Sequence, residues 1–118
     1  DNRIAIITNQ GGVAFGFVDE QTAWAKCYNA VLACGLRPDY VRVYACMHDV
    51  RGKPLYNDPT QAARRKPSGA MILEAINDYQ EAALFGVLMV GDRPEDEAAA
   101  KDAGVPFQWA HIFFSENH

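Results

Sequence analysis

Three short polar segments carry side chains that suit the binding of a phosphate group and a divalent cation. The first is Thr8-Asn9-Gln10, which two glycines follow directly. It combines side-chain hydrogen-bond donors with a backbone that an anion can approach closely. Phosphate contacts are therefore predicted at Thr8, Asn9 and Gln10. The alternative is an ordinary turn, in which the same composition is common.

The second segment contains two aspartates four residues apart. Asp92 follows an apolar run, and Asp96 lies on the first turn of a helix that Pro94 is expected to begin. Two carboxylates at this separation suit a hard octahedral cation such as Mg²⁺, so Asp92 and Asp96 are predicted metal ligands. In the alternative, Asp92 caps the helix and Asp96 complements its dipole, and metal binding is compatible with both roles.

The third segment is the basic cluster Arg64-Arg65-Lys66, which precedes another expected helix. A lysine at the same sheet edge as Thr8 and Asp92 would neutralise phosphate charge and hold the carboxylates in place. Taken alone, the cluster is equally typical of a solvated basic loop. The conjunction of the three segments, in this order, favours the phosphate-binding interpretation.

The composition is that of one globular domain spanning residues 1–118. Hydrophobic residues make up 49% of the 118 residues and charged residues 22%. The net charge of −4 argues against a nucleic-acid partner, and no apolar run approaches the roughly 20 residues of a membrane span. The three cysteines lack disulfide-like spacing and the N-terminus lacks a signal-peptide pattern, which together indicate a cytoplasmic setting.

The elements that must position these residues alternate between strands and helices. Their order, β-α-β-loop-α-β-α-β, predicts an α/β fold with a parallel sheet that helices cover. In such sheets ligands bind outside the carboxyl ends of the strands. Apolar runs predict strands at 4–7, 41–46, 87–90 and 107–110, and helical periodicity with capping residues predicts helices at 19–34, 68–79 and 94–103.

The polar segment 49–66 contains Gly52, Pro54 and Pro59 and is predicted to be a long loop. Together with residues 13–18 it is expected to determine substrate specificity. Phe15 and Tyr56 could contact a substrate, although an aromatic side chain in a loop more often packs within that loop.

With these segments in this order, the sequence resembles the haloacid-dehalogenase (HAD) superfamily. Within subfamily IIIA it is similar to histidinol-phosphate and heptose-bisphosphate phosphatases and to polynucleotide 3′-phosphatases. The strings IITNQGGVAFG, RRKPSGAM and VGDRPEDEAAAKDAGVPF resemble the second, third and fourth family motifs, and the match runs from residue 4 to about residue 110. The resemblance implies a Rossmann-like three-layer parallel sheet and a Mg²⁺-dependent phosphomonoester phosphatase that acts on a small phosphorylated metabolite.

The resemblance also implies roles for individual residues. It makes Thr8 and Arg65 phosphate contacts, with Asn9 beside them, and Lys66 the catalytic lysine. Asp92 becomes a Mg²⁺ ligand and Asp96 its supporting carboxylate.

The family's first motif, an apolar strand that ends in Asp-x-Asp-Gly, has no counterpart in these 118 residues. None of Asp39, Asp49, Asp58 and Asp78 follows an apolar strand or begins Asp-x-Asp. We therefore expect the first strand of the sheet to be missing and the chain to be inactive on its own. A second copy or a partner chain would cover the open sheet edge. A fragment, a truncated gene and a degenerate family member all fit this pattern.

Relatives in the histidinol and heptose branch often hold a structural zinc with two pairs of ligands. Cys46 and His48 match the first pair, but Ala62 and Arg64 stand where the second pair would be. Two ligands cannot complete a tetrahedral site, so we expect no zinc. Two other functions stay open. One is a non-catalytic phosphate-binding or interaction module, as a homodimer for example, and the other is a polynucleotide 3′-phosphatase, against which the acidic charge argues.

Overall fold

The computed structural model describes residues 3–33, 35, 41–79 and 86–116. The chain divides into two compact units, which we call the N-terminal unit (Asp1–Arg65) and the C-terminal unit (Lys66–His118). In the described residues each unit contains one sheet of two parallel strands, accompanied by helices. The predicted α/β class with parallel strands is therefore confirmed.

The sheet of the N-terminal unit joins β1 (Ile4–Asn9) to β2 (Val41–Cys46). Both strands are rich in β-branched residues, which favour extended backbone. In the parallel register Thr8 lies opposite Ala45, and Asn9 lies opposite Cys46. β1 is thus two residues longer than predicted, and this pairing holds Thr8 and Asn9 at its carboxyl end.

Helix α1 (Gly11–Ala14) follows β1 directly, and α2 (Glu20–Ala33) follows after a short loop. The Asp19 carboxylate accepts a hydrogen bond from the Thr22 N–H at 2.7 Å, so Asp19 caps α2 as predicted. At 14 residues α2 is the longest helix described. No described helix combines the length and the hydrophobicity needed to cross a membrane.

The buried face of α2 is narrow. The buried positions are Ala23, Cys27 and Val31, whereas Tyr28 and Leu32 are more than half exposed. Buried residues spaced four apart form a single stripe on a helix. Ala23 of this stripe belongs to a small core cluster with residues from α1, β2 and the segment after β2, namely Val13, Ala45 and Met47, and Trp24 and Tyr56 pack against it.

The segment 49–66, which was predicted to be a long loop, is partly helical. It contains a 3₁₀-helix (Pro54–Tyr56) and the short helix α3 (Pro59–Ala62). Asp58 caps α3, because its side chain accepts hydrogen bonds from two backbone N–H groups of that helix, at 2.8 and 3.2 Å.

The C-terminal unit pairs two strands of three residues each, with Met89 opposite Phe107. Val87 and Leu88 lie outside the ladder, whereas Gly91 belongs to it, so the predicted strand 87–90 is shifted toward the C-terminus. The strand predicted to end at residue 110 is shorter, since a helix begins there. The elements in order are α4 (Ala70–Asp78), β3 (Met89–Gly91), α5 (Pro94–Ala103), β4 (Phe107–Trp109) and α6 (Ala110–Glu116).

Helix α5 begins and ends where the sequence predicted. Pro94 occupies its first turn, and Gly104 follows its last residue in the left-handed conformation, with φ of 74°. Gly69, just before α4, lies so near α5 that a Cβ there would come within 2.6 Å of the Ala103 nitrogen. Its N–H donates to Asp102 Oδ2 at 2.7 Å, which ties the start of α4 to the end of α5.

Candidate phosphate and cation site

In the N-terminal unit the side chain of Gln10 orients the hydroxyl of Thr8. Gln10 Nε2 donates to Thr8 Oγ1 at 2.9 Å, and the Gln10 backbone N–H donates to the Cys46 carbonyl at 2.8 Å. The Thr8 hydroxyl reaches the Asn9 carbonyl only at 3.5 Å, the long limit of a hydrogen bond. The hydroxyl therefore accepts a good hydrogen bond and donates only a weak one. A stronger acceptor, such as a phosphate oxygen, could replace the Asn9 carbonyl.

Arg65 lies beside the same segment. A Cβ placed on Gly11 would meet Arg65 Nη1 and Nη2 at 3.6 Å each, so the guanidinium covers this glycine. Arg65 Nη1 also donates to the His48 carbonyl at 3.4 Å, and Nε lies 3.8 Å from Asp49 Oδ2. Thr8, Gln10 and Arg65 thus contribute donors to one end of β1. Their contact with a phosphate stays a prediction.

Asp49, which sequence reasoning did not include in the site, is the buried partner of this arginine. It is 4% exposed, and its carboxylate binds Arg51 through three hydrogen bonds of 2.9–3.1 Å. The hydrogen bonds from Arg51 hold the pKa of Asp49 well below its usual range, with a smaller contribution from the Arg65 charge. The Asp-x-Arg spacing could have suggested the pair of Asp49 with Arg51. No sequence pattern indicates that Asp49 also pairs with Arg65, sixteen residues later.

In the C-terminal unit Lys66 binds a second buried aspartate. Its ammonium group donates to Asp96 Oδ1, and the other oxygen, Oδ2, accepts from the backbone N–H groups of Asp92 and Arg93 at 3.1 and 3.2 Å. Burial disfavours the ionised form of Asp96, but the bonds from Lys66 and from the two N–H groups outweigh it and lower the pKa. Asp96 is therefore a carboxylate at neutral pH, locked at the start of α5.

Close packing at the end of β3 brings this arrangement together. A Cβ on Gly91 would lie 2.4 Å from the Asp96 Cβ, so only glycine allows Asp96 to approach the strand end. Asp92 comes next in the chain and has an exposed side chain. The geometry thus places Asp92 at the carboxyl end of β3 with its carboxylate toward solvent.

The two predicted Mg²⁺ ligands of this unit differ in their surroundings, because Asp92 has an exposed side chain and Asp96 a buried, hydrogen-bonded one. Both Asp96 oxygens already accept hydrogen bonds, whereas a single carboxylate plus water and phosphate oxygens is a common Mg²⁺ ligand set. Within the described ranges no three His, Cys, Asp or Glu side chains converge on one point.

The structure thus brings the predicted residues together in two sets, one in each unit. Thr8, Gln10 and Arg65 lie together in the N-terminal unit, where Asn9 ends β1. The other set is Lys66, Asp92 and Asp96. That both sets serve one phosphate remains a prediction.

Comparisons with known proteins give a matching family and two similar enzymes. Residues 63–109 match the family described as HAD-hydrolase-like. The D-glycero-beta-D-manno-heptose-1,7-bisphosphate 7-phosphatase of Haemophilus ducreyi is 33% identical over 111 residues, and that of Pasteurella multocida is 31% identical over 107. The chain belongs to the HAD-like hydrolases. Each alignment covers 86% of the chain but only 56% and 54% of the relatives, so this HAD-like chain spans about half their length.

Cys46 and His48, which the sequence analysis considered as one pair of zinc ligands, make hydrogen bonds within the N-terminal unit. Cys46 Sγ lies 3.3 Å from the Gln61 carbonyl and 3.5 Å from that of His48. His48 Nδ1 accepts from the Asp58 N–H at 3.3 Å, and its ring packs edge-on against Tyr56 with 5.5 Å between centroids. These contacts connect the end of β2 to the segment 49–66 through protein groups.

The two segments expected to determine specificity in this HAD-like chain border a common pocket. It has a volume of about 480 Å³. Its lining is mainly apolar and comes from the start of α1 to the start of α2 and from the 3₁₀-helix, with Val13, Gly16, Val18, Asp19, Lys53, Pro54, Leu55 and Tyr56. Of the two aromatic candidates, Tyr56 lines the pocket and donates its hydroxyl to Glu20 at 3.0 Å, whereas Phe15 has the Arg51 guanidinium over its ring at 5.8 Å.

Proposed function

We propose that the chain is the phosphate- and Mg²⁺-binding part of a phosphomonoester phosphatase domain that acts on a small phosphorylated metabolite. The observation that carries the proposal is the buried Asp96 carboxylate, which holds Lys66 on one oxygen and the backbone of Asp92 and Arg93 on the other. This fixes a cation and an exposed carboxylate at one strand end, as binding of a phosphate with its counter-ion requires.

Each group in the proposal has a separate task. The Asp92 carboxylate would hold Mg²⁺, which when bound supplies positive charge to the phosphoryl oxygens. Lys66 contributes a second positive charge that Asp96 orients. Thr8, Asn9, Gln10 and Arg65 donate hydrogen bonds to the remaining oxygens, and the planar guanidinium of Arg65 suits two of them at once.

The proposal assigns the nucleophilic aspartate to a segment outside these 118 residues. The two aspartates of the segment 49–66 have structural partners, which supports this assignment. Asp49 is bound by Arg51, and Asp58 caps α3. The chain alone is then expected to bind phosphate without hydrolysing a phosphate ester, and a strand from another chain segment or from a second copy would complete the sheet.

The pocket of the N-terminal unit is the proposed site for the part of the substrate that carries the phosphate. Its volume of about 480 Å³ suits a metabolite the size of a sugar phosphate. The two relatives are named for a heptose bisphosphate, which makes phosphorylated sugars the first compounds to test. A cytoplasmic location remains part of the proposal, as does the absence of nucleic acid as a partner, which the charge of −4 favours.

The experiment that tests the proposal has a binding part and a turnover part. Inorganic phosphate is titrated into the ¹⁵N-labelled chain with and without Mg²⁺, using Asp92→Asn and, as a control, the exposed Glu97→Gln on the following helix α5. We expect Mg²⁺ to strengthen phosphate binding about tenfold in the wild type and in Glu97→Gln but not in Asp92→Asn. A folded chain that does not bind phosphate at millimolar concentration would refute the proposal.

The second candidate function is a non-catalytic phosphate-binding module, which the absence of an Asp-x-Asp motif in these 118 residues favours. A turnover measurement distinguishes it from the phosphatase. Hydrolysis of p-nitrophenyl phosphate is measured for the 118-residue chain and for a version extended at its N-terminus by a strand ending in Asp-x-Asp-Gly-Thr. We expect activity in the extended chain only, and its loss in Lys66→Ala. An extended, folded chain that binds phosphate but stays inactive would favour the binding module.

A further inference from the structure

The backbone of Asp49 is fixed on both sides. Its N–H donates to the Tyr56 carbonyl at 3.0 Å, and its carbonyl accepts from the Gly52 N–H at 2.8 Å. The next residue of the turn, Lys53, donates its N–H to the Ala14 carbonyl at the end of α1 at 2.8 Å. These three bonds anchor the turn 49–53 on α1, so the Asp49 side chain leaves the backbone from a defined point.

The two oxygens of Asp49 have different partners. Oδ1 accepts from the Arg51 backbone N–H at 2.9 Å and from Arg51 Nε at 3.1 Å. Oδ2 accepts from Arg51 Nη2 at 2.9 Å and also lies 3.8 Å from Arg65 Nε. The Arg51 side chain is 77% exposed and that of Arg65 only 24%. Arg51 therefore closes the turn from the solvent side, and Arg65 is the inner partner.

Arg65 is held by two groups that approach it from the same turn. The His48 carbonyl accepts from Nη1, and the Asp49 carboxylate attracts Nε. With these two contacts the guanidinium lies over Gly11, where a Cβ would touch both terminal nitrogens at 3.6 Å. A flexible arginine side chain loses considerable rotamer entropy when it is held in this way, so a pre-oriented guanidinium binds an anion at lower cost.

We propose that Asp49 is a positioning residue that orients the Arg65 guanidinium over Gly11 for contact with the substrate phosphate. The inference rests on the proposed function, because it takes Arg65 as a phosphate contact. Asp49 itself touches no substrate in this proposal and acts only through Arg65.

The charges of the cluster make the proposal distinguishable from a simple electrostatic effect. Asp49, Arg51 and Arg65 together carry one net positive charge. Asp49→Asn removes a negative charge and raises the net charge of the three residues to two positive charges. Charge alone would then strengthen phosphate binding, whereas loss of positioning would weaken it. Arg51→Ala removes a positive charge, so charge alone would weaken binding. Positioning predicts little change, because the backbone bonds of Asp49 and the bond from the Arg51 backbone N–H to Oδ1 are retained.

The test measures the dissociation constant of inorganic phosphate from the Gly11 and Gly12 amide shifts of the ¹⁵N-labelled chain with Mg²⁺ present. We expect Asp49→Asn and Arg65→Ala each to weaken binding about tenfold and Arg51→Ala to change it less than about twofold. The double variant Asp49→Asn/Arg65→Ala should bind no more weakly than Arg65→Ala alone, because both changes remove the same interaction. Tighter or unchanged binding in Asp49→Asn would overturn the proposal, as would a loss in Arg51→Ala equal to that in Asp49→Asn.

A second measurement needs no variant and covers the case in which Asp49→Asn does not fold. The Nε–H resonances of Arg65 and Arg51 are followed in the wild type during the phosphate titration. The Arg65 signal is expected to shift with the same dissociation constant as the Gly11 amide while the Arg51 signal stays in place. An Arg65 signal that saturating phosphate does not affect would overturn the proposal.

Failure of the proposed function has a different signature. A wild-type chain without any phosphate binding refutes the phosphate site, and the orientation of Arg65 is then judged without ligand. In that case a protected Arg65 Nε–H in the wild type that exchanges quickly in Asp49→Asn supports positioning by Asp49. Equal exchange in the two chains contradicts it.

Discussion

Arg65 and Lys66 are neighbours in the sequence, yet each pairs with a buried aspartate of a different unit. Arg65 faces Asp49 in the N-terminal unit with 3.8 Å between Nε and Oδ2, and Lys66 binds Asp96 in the C-terminal unit. The two carboxylates are similarly buried, at 4% and 5% exposure. The chain thus uses the same pairing, a cation with a hidden carboxylate, on both sides of the boundary between units.

The two pairs differ in what fixes the carboxylate. Asp49 is bound mainly by the side chain of Arg51, two residues away in the same turn. Asp96 is bound by backbone N–H groups at the start of a ten-residue helix and by Lys66. Side-chain partners can be removed without altering the backbone, whereas the Asp96 arrangement belongs to the helix start itself. We therefore expect substitutions around Asp96 to affect folding and substitutions around Asp49 to affect mainly ligand binding.

Each unit contains one of the two tryptophans, which allows the two to be followed separately. Trp24 lies in α2 and Trp109 in β4. Trp24→Phe leaves fluorescence that reports on the C-terminal unit, and Trp109→Phe leaves fluorescence that reports on the N-terminal unit. The predictions below use urea unfolding in these two backgrounds.

The largest effect is expected from Lys66→Met. This substitution leaves the buried Asp96 carboxylate without its cation, although the two backbone N–H bonds remain, and should lower the unfolding free energy of the C-terminal unit by about 2–3 kcal/mol. The Trp109 signal measures it. The exposed Lys101→Met on α5 is the control for lost charge and should cost at most about 0.5 kcal/mol. Equal losses in the two variants would show that the Lys66–Asp96 pair does not stabilise the unit.

A matched pair of glycine substitutions compares the packing around Asp96 with the packing around Arg65. Gly91→Ala would place a Cβ 2.4 Å from the Asp96 Cβ, and we expect it to destabilise the C-terminal unit by about 2 kcal/mol. Gly11→Ala would place a Cβ in ordinary contact with the Arg65 guanidinium, and the N-terminal unit should change by no more than about 0.5 kcal/mol. Similar losses of unfolding free energy in the two variants would contradict the conclusion that Gly91 is packed more tightly than Gly11.

The helix α5 and its aspartate were predictable because their signals are local. Pro94 at the first turn and Gly104 after the last residue set both ends, and the observed bounds Pro94–Ala103 agree with the predicted 94–103. Residue types likewise placed Thr8 and Gln10 at the end of the first strand, while their contact with phosphate stays a prediction. Such features depend on residues within about four positions, a distance over which the sequence pattern determines backbone geometry.

Features that depend on distant partners were missed. The extension of β1 to Asn9 comes from pairing with β2, and the shift of β3 comes from the three-residue partner β4. The role of Asp49 depends on Arg65, sixteen positions later, which no periodicity connects to it. Helix α3 is a different case, because Asp58-Pro59 is a local start signal that the prediction of a long loop overlooked.

Acid should affect the two units through their two buried carboxylates. The pKa values of both Asp49 and Asp96 are lowered in the folded chain, so their contribution to stability is present above the unfolded value near 3.8 and is lost as the pH falls below it. We expect Asp49→Asn to flatten the acid dependence reported by Trp24, and Asp96→Asn that reported by Trp109. The pH dependence of the urea midpoint between pH 3 and 6 checks this. Equal flattening of both signals by either variant would contradict the assignment of one carboxylate to each unit.

The smallest effect is expected at the helix caps and compares how each unit begins its short helices. Asp58→Ala removes the cap of α3, and Ser68→Ala removes a hydroxyl that accepts from the Ala70 N–H at 3.1 Å before α4. Each should cost about 0.5–1 kcal/mol in its own unit.

The conservative variants Asp58→Asn and Ser68→Thr retain the cap oxygen and should change stability by less than half as much. If Asp58→Asn destabilised the N-terminal unit as strongly as Asp58→Ala, the charge of Asp58 rather than its cap oxygen would be what α3 requires. The segment 49–66 would then require the charges of two side chains, Asp49 and Asp58, and electrostatic stabilisation would apply to the whole segment rather than to Asp49 alone.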